Sequence, residues 1–145
     1  MALECDFLIA SPRAVFADTH VRVGILPGGG ITARLPQLVG AGVARRLSMT
    51  GEVVDAARAE RIGLVTEIVA HDQLMARTVE LAIQIAEVPA ATMTALEQIY
   101  VTGAPAVTEP ALAADQAIAG AQQLDTADLD ARYAAISERN HRQIT

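Results

Sequence analysis

The apolar residues of this chain change their spacing near residue 71, and no single layer of secondary structure accommodates both halves. Upstream, the short apolar runs Phe7 to Ala10 and Val15 to Ala17, separated by Ser11-Pro12, read as strands of a covered sheet. Val21 to Leu26 reads as a further strand running into Pro27-Gly28-Gly29-Gly30, whose glycines reach backbone conformations closed to other residues. A short helix follows, interrupted at Pro36. Gly42 to Met49 and Asp55 to Arg61 read as the next two helices, the second stopped by Gly63, and Leu64 to Val69 as a strand. Downstream only helical spacing occurs. Asp72 is expected to cap a helix with the apolar face Leu74, Thr78, Leu81 and Ile85. Pro89 opens a second, carrying Met93, Leu96 and Tyr100 and ended by Gly103 and Pro105. A third, from near Pro110, presents Ala111, Ala114, Ile118 and Ala121, small enough for a partner helix to approach; Leu129, Tyr133 and Ile136 mark a last one. The expected division is an α/β core over residues 1–71 and a helical region over residues 72–145.

Charge and composition remove several functions. Seventeen acids against 11 basic residues give a net charge of -6, so the electrostatic footprint of a nucleic-acid binder is missing. Every basic residue is Arg, which removes amine chemistry such as Schiff bases. Aromatics are only 3% with no Trp, leaving no platform for base stacking. The lone Cys5 forms no internal disulfide and reads as a small core residue. The opening MALECDFLIA carries acids where a signal peptide needs positive charge, and no run approaches the roughly 20 apolar residues of a membrane helix. The expected location is cytoplasmic, with no membrane partner.

Individual motifs carry little. Gly28, Gly30 and Ala33 satisfy the dinucleotide fingerprint formally, with Glu52 further on, but Pro27 before the turn and Pro36 after it spoil the strand-to-long-helix frame. No Lys follows the glycines, so a Walker A loop is excluded. Asp18 and His20, two apart, would share one face of a strand: an acid/base pair, half of a metal site, or a hydrogen-bonded structural histidine. His71 and His141 have no sequence reason to lie beside His20, and no metal site is expected. Ser11, Ser48 and Ser137 lack a G-x-S-x-G elbow.

Taken in order, the motifs say more. Cys5-Asp6 leads into Phe7 to Ala10, then Ala14-Val15-Phe16-Ala17, Gly24-Ile25-Leu26-Pro27-Gly28-Gly29-Gly30 and Arg34-Leu35. Leu47-Ser48-Met49-Thr50-Gly51, Asp55-Ala56-Ala57 and Arg61-Ile62-Gly63-Leu64-Val65 continue the series. This order resembles the enoyl-CoA hydratase/isomerase (crotonase) family, strongly over residues 5–69 and in composition alone over residues 72–145. The resemblance implies part of a ββα spiral followed by a helical trimerisation region. It also implies acyl-CoA thioester substrates of fatty-acid metabolism, with CoA entering as part of the substrate and no separate cofactor.

In that family two backbone N–H groups form an oxyanion hole that stabilises an enolate. By alignment both donors, and the first hydratase glutamate, would lie upstream of Met1; Glu4 is out of register with that glutamate. The second glutamate falls at His20, which could serve as the acid/base because histidine titrates near neutrality. Leu26, Gly28 and Gly29 match the turn that lines the reaction cavity and are the expected substrate-binding residues. Arg132, Arg139 and Arg142 are the available substitutes for a C-terminal lysine that contacts CoA in relatives. A homo-oligomer, trimer or hexamer, and a separate N-terminal half are the implied partners. The alternative is a non-catalytic acyl-CoA-binding or assembly subunit, or the remnant of an interrupted gene.

Overall fold

The structure, a computed structural model, describes residues 2–103, 105–121 and 129–144. A 3-10 turn at Ala2–Glu4 precedes strands β1 (Ile9–Ala10) and β2 (Val15–Phe16), and a second 3-10 turn spans His20–Val23. Helices α1 (Ile31–Val39) and α2 (Ala41–Thr50), strand β3 (Val54–Asp55), helix α3 (Ala56–Arg61) and strand β4 (Glu67–Ile68) follow. Among the described residues four helices follow: α4 (Leu74–Ala86), α5 (Ala90–Gly103), α6 (Pro105–Gly120) and α7 (Leu129–Ile144).

β1 pairs in parallel with β4, Ile9 opposite Glu67, and β2 pairs antiparallel with β3, Val15 opposite Asp55. Thr66 fastens the parallel pair, its N–H and its hydroxyl each donating to the Leu8 carbonyl at 2.8 Å. Strand pairs this short have little stability of their own. The fold rests on the cluster they cover: Leu35 and Val39 of α1, Leu47 of α2, Val54 of β3, and Leu64 and Val65 beyond α3. α3 is locally specified, because Asp55 caps it by accepting from the Arg58 N–H at 2.7 Å.

Several expectations are corrected. Val21 to Leu26 is not a strand. Residues 20–23 close a 3-10 turn, ended by Gly24 in the left-handed conformation at φ 75°. The Gly24 N–H returns to the Val21 carbonyl at 3.2 Å and the Ile25 N–H to His20 at 3.0 Å. The β-branched residues there favour a strand, but the backbone groups that a ladder would use are spent inside the turn. Pro36 does not interrupt α1, which runs on to Val39. Its missing N–H removes only one bond of the ladder, and the Gln37 amide side chain donates to the Ala33 carbonyl at 2.9 Å on the same turn.

Downstream, Asp72 does not cap α4; the position before the helix is Gln73, which makes no side-chain cap bond. No residue of the expected α4 face is fully buried, and Val79 and Ile83 are more than half exposed. α6 begins at Pro105 and carries Pro110 inside it. Its inward face is Leu112, Asp115 and Ala119, one residue round from the expected one, while Ile118 is 63% exposed. Asp115 draws that face in. Only 7% exposed, it accepts from the Gly30 N–H at 2.9 Å and from the Thr32 hydroxyl, as a buried carboxylate must be hydrogen-bonded. Cys5 is exposed rather than in the core, because the chain enters β1 only at Ile9.

Candidate active site

A cavity of about 520 Å³ opens between the Ala2–Glu4 turn, β2, the glycine turn and the first residues of α1. Its floor is apolar, from Leu8, Phe16, Ile31, Leu35, Leu47 and Val54, and its polar lining includes Glu4, Asp18, His20 and Glu52. A concave apolar site with a few convergent polar groups is the usual form of a small-molecule site.

Asp18 and His20 meet there, though not by strand alternation. Asp18 Oδ1 lies 2.7 Å from His20 Nδ1 and also accepts from the His20 backbone N–H at 3.4 Å, so the turn folds the carboxylate back on the ring two residues later. The Asp18 side chain is 3% exposed and that of His20 47%. An ionised carboxylate only accepts, which fixes the hydrogen on Nδ1 and leaves the Nε2 lone pair for an external proton. The second Asp18 oxygen, Oδ2, is buried with no hydrogen-bond partner. Gly51 at the end of α2 fits closely against this segment, since a Cβ there would lie 3.1 Å from the Asp18 carbonyl oxygen.

Of the expected substrate-binding residues, Gly29 lines the cavity with His20. Gly28 and Leu26 lie outside that lining. Gly28 faces α6, where a Cβ would come 3.1 Å from the Ala119 Cβ, and Leu26 is 38% exposed. Arg132 and Arg139 reach backbone carbonyls at Val23, Thr50 and Gly51 rather than the cavity, and Arg142 is exposed on α7. The dinucleotide fingerprint has no room to act. The Gly30 N–H that would meet a phosphate is taken by Asp115, and Glu52, 3.0 Å from Arg46 and 2.7 Å from Arg58, is engaged by two guanidinium groups. Among the described residues no three His, Cys, Asp or Glu side chains cluster as metal ligands, and no single helix is long and apolar enough to cross a membrane.

The hydrogen bond from Arg58, reinforced by Arg46, holds the Glu52 carboxyl below the usual carboxylate range. The unfolded chain therefore binds the proton more tightly than the folded one, and this stabilisation, present at neutral pH, is lost as pH falls through the folded value. Glu52→Gln is expected to cost up to about 1 kcal/mol at pH 7, and nothing in acid where Glu52 itself is protonated. Urea unfolding at both pH values checks this; an equal loss at both would contradict it.

Fold and cavity together define a partial α/β spiral with an apolar small-molecule cleft and a histidine–aspartate pair on its wall. Comparison with known proteins names the family. The enoyl-CoA hydratase/isomerase family matches residues 1–138. A probable enoyl-CoA hydratase of Rhizobium meliloti (strain 1021) is 43% identical over 95 residues, 64% of this chain and 37% of that protein. A crotonyl-CoA hydratase of Syntrophomonas wolfei subsp. wolfei is 44% identical over 82 residues, 57% of this chain and 32% of that protein. The crystal structure of an enoyl-CoA hydratase from Mycobacterium avium superposes with a TM-score of 0.78 at 47% identity, covering 81% of this chain and 53% of that one. The protein belongs to the enoyl-CoA hydratase/isomerase family and carries part of the crotonase fold. It spans about half the length of that solved relative.

Proposed function

We propose that the protein acts on acyl-CoA thioesters, adding water to or isomerising a 2-enoyl chain, with His20 as the acid/base. The single observation that carries this reading is the 2.7 Å contact between Asp18 and His20 at the wall of an apolar cavity. In the hydration direction His20 Nε2 takes a proton from water and the oxygen bonds to Cβ of the enoyl thioester. The C=C electrons move toward the carbonyl, and the resulting enolate is protonated at Cα. The N–H donors that hold the enolate oxygen are assigned, on the family resemblance, to polypeptide outside residues 1–145, either continuous with them or a separate half. The reading calls for no cofactor besides the CoA of the substrate.

Oligomerisation through the helices is part of the same proposal. Met75, Ile99, Tyr100 and Val101 are each 68 to 71% exposed, an apolar display on α4 and α5 that suits contact with other copies of the chain in a trimer or hexamer.

The test is hydration of crotonyl-CoA by the 145-residue chain, alone and mixed with a polypeptide carrying the family's first half. His20→Ala is expected to lower kcat/KM by about 10²- to 10⁴-fold. Turnover that survives His20→Ala would refute the assigned role. A folded chain that binds crotonyl-CoA without converting it in either mixture would favour a binding or assembly subunit.

A further inference from the structure

The His20–Val23 turn carries the His20 ring, and besides its own backbone bonds three guanidinium groups hold it from behind. Arg22, inside the turn, donates through Nε to the Thr50 carbonyl at 2.7 Å and through a terminal nitrogen to the same oxygen. Arg139 of α7 donates to that carbonyl at 3.1 Å and to Gly51 at 3.0 Å. Arg132, two turns earlier on α7, donates to the Val23 carbonyl at 3.3 Å.

Thr50 and Gly51 end α2, where backbone carbonyls lack intrahelical donors and a cation is favoured by the helix dipole. One cation would satisfy that end. A second on the same oxygen adds like-charge repulsion, and neither Arg22 nor Arg139 makes an ion pair that would offset it among the described residues. What the doubled arrangement accomplishes is mechanical: it ties the turn to the end of α2 and both to α7, through bonds that span 88 to 109 residues of sequence. Gly51 leaves the space, since a Cβ there would come within 3.0 Å of Arg22 Cγ.

We infer that Arg139, with Arg22, is a positioning residue that fixes the direction of the His20 ring by clamping its turn against the end of α2. This rests on the reading of His20 as the acid/base. It differs from the expectation that Arg139 contacts CoA, because all its hydrogen bonds go to backbone at the turn's anchor.

The test reads the ring directly by ¹⁵N–¹H NMR of the histidine side chains, which needs no substrate, and then by kinetics. In the parent protein His20 should show a hydrogen-bonded Nδ1–H, told apart from His71, whose Nδ1 lies 3.1 Å from the Ser11 hydroxyl, by its loss in His20→Ala. Arg139→Ala is expected to weaken or broaden that signal while backbone resonances of α1 and α3 stay in place. Arg139→Lys, able to reach one carbonyl rather than two, should restore it in part. Where turnover is measurable, Arg139→Ala should lower kcat by about 10- to 100-fold with KM little changed. An unchanged His20 signal in a folded Arg139→Ala protein overturns the inference, and so does a rise in KM with kcat unaffected, which would mark a substrate contact. If Arg139→Ala does not fold, Arg139→Lys and Arg22→Gln decide by the same signal, its persistence at full strength in both being the contrary result. Failure of the acid/base reading is separate, appearing as absent turnover with the His20 signal still dependent on Arg139.

Discussion

Replacing Asp115 with alanine is expected to destabilise the fold by about 2 to 3 kcal/mol, more than any surface substitution in the chain. The residue before α1 is Gly30, whose left-handed backbone at φ 81° and missing side chain leave the helix without a local cap. Asp115 takes that place from 85 residues away, accepting from the Gly30 N–H at 2.9 Å and from the Thr32 hydroxyl. Its charge also sits at the positive end of the helix dipole. Alanine would leave the Gly30 donor unpaired in a site only 7% exposed and would loosen α6 from the glycine turn, where Leu112 and Ala119 make the close contacts. Asp115→Asn keeps the shape and one acceptor and should lose roughly half as much. Urea unfolding decides. An Asp115→Ala protein within about 0.5 kcal/mol of the parent would show that α6 is held by its apolar contacts alone.

Asp18→Asn should have the opposite signature, a large loss of activity with little loss of stability. An amide nitrogen facing His20 Nδ1 would donate to it and force the ring hydrogen onto Nε2, abolishing the base. An amide oxygen there would keep the tautomer but remove the charge that stabilises the imidazolium. Either way kcat/KM for crotonyl-CoA should fall by about 10²- to 10⁴-fold. Stability should stay within about 1 kcal/mol of the parent or rise, because Asp18 Oδ2 is already buried without a partner and a neutral side chain removes that desolvation cost. Paired denaturation and kinetic measurements make the comparison. Unaltered kcat/KM would mean that Asp18 does not set the state of His20; a fall in stability matching the fall in activity would make it a structural residue.

Local rules account for much of the first half of the chain. α2 and α3 lie within a residue or two of their expected limits because the signals that stop them are local: Gly51 is left-handed at φ 56° and Gly63 at φ 80°. Family order, carried by runs such as Gly24 to Gly30, was equally readable and placed the acid/base candidate at His20. The pairing of Asp18 with His20 was visible as a spacing, but its expected geometry was a strand's. No local rule distinguishes a strand at Val21 from a turn closed by Gly24, since the choice depends on whether a neighbouring strand offers its backbone.

The second half was legible as helices and much less so as surfaces. Periodicity names the apolar stripe of a helix, yet α6 turned in the side that carries Asp115, because a charge that finds a backbone donor and a hydroxyl outweighs a stripe of alanines. Arg139 could be read from sequence as a ligand contact; its two carbonyl partners come from the end of α2, far away in the chain. Hydrophobic spacing, turn glycines and motif order are short-range properties, and they suffice for the elements and the family. The cap on α1, the clamp behind His20 and the membership of the cavity wall join residues that are distant in sequence, and those pairings exist only once the chain has folded.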